Sequence, residues 1–145
     1  MNNTHGYELA SKGKRFIASL IEGIIFILLT MGAYLILGKS IYNYWHRDFD
    51  LIQVVYSAIS GLMVGAIFYP WFTGNLGHKI FKLKVISSET GEDYNTAEKG
   101  AIREFLKYVL GFLLIPIIWI LWDDNNQNLY DKLTKTLVVN KNKTK

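Results

Sequence analysis

"RFIASLIEGIIFILL", Arg15 to Leu29, reads as the opening of a membrane-crossing helix, yet it carries a glutamate, Glu22, two turns inside. From Phe16 to Leu37 there are 22 residues, and Glu22 is the only charge among them. A helix of that length reaches roughly 33 Å, enough to cross a bilayer. A cleaved signal peptide has a shorter apolar region and a small-residue cleavage site. The glutamate does not forbid insertion. A central acidic residue costs roughly 2.5–3.5 kcal/mol on insertion scales. The 13 Ile, Leu and Phe residues of 16–37 together return on the order of 4–8 kcal/mol.

Working outward, Leu51 to Tyr69 is a second uncharged run, followed by the aromatics of "YPWF" (69–72). Between the runs, Tyr42, Tyr44 and Trp45 suit a membrane–water interface. Within the second run Ser57, Gly61 and Gly65 recur every four residues, a spacing that lets another helix approach closely. A third apolar run, 105–122, is interrupted by Lys107, Gly111 and Pro116. In the polar stretch 73–104, "KIFKLKVI" alternates apolar and charged residues like a strand, and "TLVV" (136–139) offers it a partner. Thr96 stands where a helix over "AEKGAIREF" needs a cap.

The fold class this predicts is an all-α membrane protein forming one domain over 1–145. Its transmembrane helices cover about 16–37 and 51–70, and 105–122 either spans or re-enters. A cytoplasmic loop (73–104) and a cytoplasmic tail (123–145) supply a small β-element from residues 80–87 and 136–139. Lys12, Lys14 and Arg15 place the N-terminus inside by the distribution of basic residues. A full third span conflicts with the tail lysines and with the strand pairing, whereas a hairpin turning near Pro116 satisfies both.

Composition bounds the chemistry. The 145 residues are half hydrophobic, carry a net charge of +4 and include no cysteine, which excludes disulfides and thiol chemistry. The basic residues flank the apolar runs and suit an anionic membrane surface; no free basic stripe suggests nucleic acid. "DDNNQNLYD" lacks the glycine and glutamate of a calcium loop and reads as a capped turn into a short helix. His5, His46 and His78 form no metal spacing, and no phosphate loop or nucleophilic triad is present. No enzyme, cofactor or metal is expected, and no internal repeat is apparent.

The carboxylate remains. Arg15 and Glu22 lie on nearly one helix face but about 10 Å apart along the axis. Burial disfavours the charged form of Glu22, and a nearby cation favours it. A carboxylate poised between those influences can exchange a proton for a cation; the structural alternative is a hydrogen bond to a neighbouring helix.

"RFIASLIEGII" resembles the first-helix signature of the RDD family of small bacterial membrane proteins, in which an arginine is followed by an alanine three residues later and an aspartate seven later. Arg15 and Ala18 match, and Glu22 keeps the carboxylate. "TGNLGHKIFKLKVISSETGE" resembles the family's segment after the second helix, with His78 where a lysine is usual. "LWDDNNQNLYDKLTKTLVV" resembles its C-terminal segment, with Tyr130 in place of a histidine and Asp131 matching the second aspartate. The resemblance covers about 11–140. It implies a bacterial cytoplasmic membrane location, multi-pass with the N-terminus cytoplasmic, and Arg15, Glu22 and Asp131 as the functional trio. It further implies transport of a small ligand, including sodium or lithium/proton antiport. Two readings stay open: a cation/proton antiporter, acting in the bilayer as a homo-oligomer, or a non-catalytic accessory subunit docking on a larger membrane protein complex through its small-residue face.

Overall fold

The computed structural model describes residues 4–38, 40, 42, 51–111 and 118–143. In chain order the elements are β1 (Tyr7–Leu9), α1 (Lys12–Ile36), α2 (Leu51–Phe72), α3 (Leu76–Ile80), β2 (Leu83–Ser87), α4 (Ala97–Gly111), α5 (Leu129–Leu133) and β3 (Thr136–Lys143). Two expectations fall here. The chain is not all-α, because three strands form an antiparallel sheet in the order β1-β3-β2. Among the described residues, moreover, no helix is long and apolar enough to cross a membrane.

The physical reason lies in where the helices begin and what they turn inward. α1 starts in charged sequence at Lys12 and buries Arg15 and Glu22 against protein. α4 starts eight residues before the apolar run of 105–122, and it buries Arg103 and Glu104. Counting apolar residues along the chain ignores both polar faces. The expected turn near Pro116 lies outside the described residues.

The strands form where apolar residues alternate. β2 and β3 pair with Leu83 opposite Asn140, Val85 opposite Val138 and Ser87 opposite Thr136. Leu83, Val85 and Val138 pack with Ala10, Ala18, Tyr69 and Tyr94. The intervening Ile86, Leu137 and Val139 cluster with Tyr7 and Leu9. This division is the period-2 consequence of a pleated strand.

An internal repeat emerges that the sequence reading did not register. "NLGHKIFKLKVI" (75–86) and "NLYDKLTKTLVV" (128–139) share Asn, Leu, two lysines and a valine at matching positions, 53 residues apart. Each folds as an Asn-capped five-residue helix, a lysine in the left-handed region (φ 53° at Lys82, 52° at Lys135) and a strand. Val85 and Val138 are equivalent in the repeat and face each other in the sheet, so a local twofold passes between them. The same relation makes His78 the counterpart of Asp131.

Candidate functional site: a buried chain of alternating charge

α2 and α4 lie close enough that side chains are excluded between them. A Cβ at Gly65 would overlap the carbonyl of Gly100, and one at Gly61 would lie 3.1 Å from the Glu104 carbonyl and overlap the Tyr108 ring. The structure thus places two of the three small residues singled out from the sequence at this contact. Ser57 lies in α2, but its side chain is outside the described residues. The close approach brings Tyr69 of α2 beside Arg103 and Glu104 of α4.

Arg15 does not reach Glu22. Its guanidinium donates to Asp131 Oδ2 and to the Asn126 carbonyl. Asp131 sits at the third position of α5, where its Oδ2 also accepts from the Asn128 amide at 2.9 Å, a reciprocal cap that satisfies an otherwise orphaned donor. Its Oδ1 accepts from Arg103 through Nε, at 3.1 Å, and through Nη2. Burial pushes the Asp131 carboxyl up, but Arg15 and Arg103 outweigh it and hold the carboxyl at about 2. The Arg103 guanidinium also lies 5.0 Å from the centroid of the Tyr130 ring, the residue standing where the family motif has a histidine.

From Arg103 the chain continues. Arg103 Nη1 donates to the Tyr69 hydroxyl and to Glu104 Oε1 at 3.2 Å, and Tyr69 donates to the same oxygen at 2.8 Å. Glu104 Oε2 accepts from Lys107 Nζ at 3.2 Å. Lys107 Nζ also donates to Glu22 Oε2, which takes a second bond from Asn75 Nδ2 at 2.7 Å. Asn75 meanwhile caps α3 by accepting from the His78 amide at 2.9 Å. Arg15, Asp131, Arg103, Glu104, Lys107 and Glu22 therefore alternate in sign, three cations against three anions. A buried charge is tolerable only when paired in this way.

Two atoms along this region have no hydrogen-bond partner among the described residues, Glu22 Oε1 and His78 Nδ1. Burial, then the nearby Arg103, Lys107 and Arg15, hold the imidazole well below the usual histidine range, so it is neutral. A proton there would add a fourth cation to a balanced set. Sequence reasoning singled out Arg15, Glu22 and Asp131; the structure joins all three, but through Arg103, Glu104 and Lys107. Tyr69 and Asn75 were also missed. Lys107 carried a usable signal, because it interrupts an apolar run just as Glu22 does.

The RDD family model matches residues 9–135. The chain belongs to the RDD family. That span contains every member of the six-charge chain, and the family is one of generally membrane-associated proteins. No curated protein and no solved structure matches. Among the described residues no group of His, Cys, Asp and Glu is arranged to hold a metal ion.

Proposed function

We propose that this RDD protein is a membrane-bound, non-enzymatic ion exchanger in which Glu22 takes up a proton or a small cation. The observation that carries the reading is the asymmetry of that carboxylate. Oε2 is held by Lys107 and Asn75, while Oε1 is buried with no hydrogen-bond partner among the described residues. A buried polar atom without a partner calls for a reason, and an exchangeable ligand is one.

Membrane association is supported by two exposed apolar stripes. Phe16, Leu20, Ile24 and Leu28 recur every four residues along α1, and Val55, Ile59, Met63, Ile67 and Trp71 do so along α2. Contiguous apolar surface of this kind demands lipid or protein cover. The reading places the N-terminal lysines on the cytoplasmic side of a bacterial inner membrane, with the ion path enclosed by an oligomer. The accessory-subunit reading loses support, since Gly61 and Gly65 are occupied by α4 rather than left for a partner.

The test is ion-driven proton movement in proteoliposomes, followed with a pH-sensitive dye during pulses of sodium, lithium and potassium. Wild type is expected to collapse the pH gradient, and Glu22→Gln, verified as folded by circular dichroism, is expected not to. A glutamine variant as active as wild type, or a wild type as silent as empty liposomes, refutes the proposal.

A further inference from the structure

Lys107 stands between two buried carboxylates that have few other cations to serve them. Its ammonium donates to Glu22 Oε2 and lies 3.2 Å from Glu104 Oε2. Glu104 spends its other oxygen on Tyr69 and Arg103, and the other oxygen of Glu22 has no partner among the described residues. Two carboxylate oxygens, Glu22 Oε2 and Glu104 Oε2, thus converge on one primary ammonium, with the Asn75 amide as a further support on Glu22. The side chains differ in access: Glu104 is 0 % exposed and Glu22 9 %, but Lys107 keeps 18 %. The anions are fixed inside, and the lysine side chain keeps the most exposure of the three.

We propose that the Lys107 ammonium is the tethered occupant of a monovalent-cation position formed by Glu22 and Glu104, which a free cation enters by displacing it. An ammonium is a compact point charge on a flexible four-carbon stem, so it can leave without moving the backbone. Oxygen ligands alone suit hard ions such as sodium and lithium, and equally a primary ammonium ion. Charge sets the selectivity. One monovalent cation in place of the ammonium keeps the buried set balanced at three against three, whereas a divalent ion leaves one uncompensated charge. Lys107 therefore acts as an internal competitor that closes the position until an external cation outcompetes it.

The inference rests on Glu22 being the exchanging group, and its test reads binding rather than transport, so the two can fail separately. Thermal unfolding of the detergent-solubilised full chain is compared for wild type, Lys107→Ala and Lys107→Ala/Glu22→Gln. Sodium, lithium, methylammonium and magnesium chlorides are each titrated in, with choline chloride holding ionic strength constant. Lys107→Ala is expected to melt below wild type. Methylammonium, and to a smaller degree sodium or lithium, is expected to recover at least half of that loss saturably, as a ligand specific to the folded state must. Choline and magnesium are expected to recover none, and the double variant to respond to no cation. A single variant that responds to all salts alike, or a double variant that responds equally, overturns the proposal. Should Lys107→Ala be unfolded in choline, a cooperative transition appearing only with methylammonium supports the site. Absence of folded protein in every salt overturns it, whether or not the double variant folds. If wild type exchanges ions while Lys107→Ala ignores them, the tethered-occupant inference fails and the transport reading stands.

Discussion

Replacing Asp131 by asparagine removes the one anion held between two buried guanidiniums and keeps the side chain's shape. Holding this carboxyl at about 2 rather than 3.8 corresponds to about 2 kcal/mol of preference for the ionised form. Asparagine also turns an amide donor toward Arg15 or Arg103, leaving a buried guanidinium N–H unpaired at a further cost of about 1–3 kcal/mol. The total, about 3–5 kcal/mol, is the range found when one partner is removed from a buried ion pair. For a chain of this length that lowers the melting temperature by about 10–16 °C.

The assay is thermal unfolding in detergent, with Lys135→Ala as the control. Lys135 pairs with Glu89, but their side chains are 68 % and 61 % exposed, so solvent screens the pair and its loss should leave the melting temperature nearly unchanged. Acid supplies a second reading. Asp131 is held below its unfolded value, so its contribution is present above pH 3.8 and disappears as the pH falls towards about 2. The wild-type and variant curves should converge across that window. An Asp131→Asn protein that melts within the error of the Lys135 control refutes the argument that the Arg15–Asp131–Arg103 cluster holds α1, α4 and α5 together.

Two further predictions test the packing and the histidine. Gly65→Ala drives a methyl into the Gly100 carbonyl and should cost about 1–3 kcal/mol, whereas Gly32→Ala, where a Cβ meets nothing within 4 Å, should gain about 0.5–1 kcal/mol. Paired melting curves decide it, and equal shifts would contradict the close α2–α4 contact. His78 is buried neutral, so below pH 6.5 the unfolded chain takes up a proton that the folded chain refuses. Each pH unit below that value should then take up to about 1.4 kcal/mol from the histidine's contribution, and His78→Phe should shift the slope of stability against pH by that amount in denaturant titrations; a variant slope equal to wild type's places the proton elsewhere.

What the sequence disclosed was what depends on short spacing. Gly61 and Gly65 are four residues apart, and a packing face follows from helical geometry alone. "KIFKLKVI" alternates and "TLVV" is a short apolar run in need of a partner, and they pair as β2 and β3. The failures share a cause as well. Arg15 and Glu22 look like partners because they are seven residues apart, but their real partners, Asp131 and Lys107, stand 116 and 85 positions away. No local pattern encodes those distances. The two apolar runs were legible as composition, but not which side of each helix meets protein. The helix–lysine–strand repeat escaped because its two copies agree at five of twelve positions and differ where it matters most, His78 against Asp131.

That difference bears on how the trio named by the family resemblance divides its work. Asp131 receives bonds from two guanidiniums and a backbone amide, and its carboxyl is held near 2. A group so firmly ionised cannot trade protons near neutral pH, because the exchanging species must be populated in both forms. Arg15, committed to Asp131 and to the Asn126 carbonyl, is equally unsuited to serve Glu22. At the other end of the alternating chain, Glu22 has one flexible ammonium, one amide and one unsatisfied oxygen. The order of charges thus runs from a locked end to a loose one, with Glu104 and Arg103 as the fixed links between them. The exchange proposed for Glu22 therefore fits the loose end. On that reading Arg15 and Asp131 act as the anchor that keeps α1 and α5 in place while Glu22 changes its partner, so Arg15→Ala should remove activity by way of stability, and Glu22→Gln should remove it in a protein that still folds.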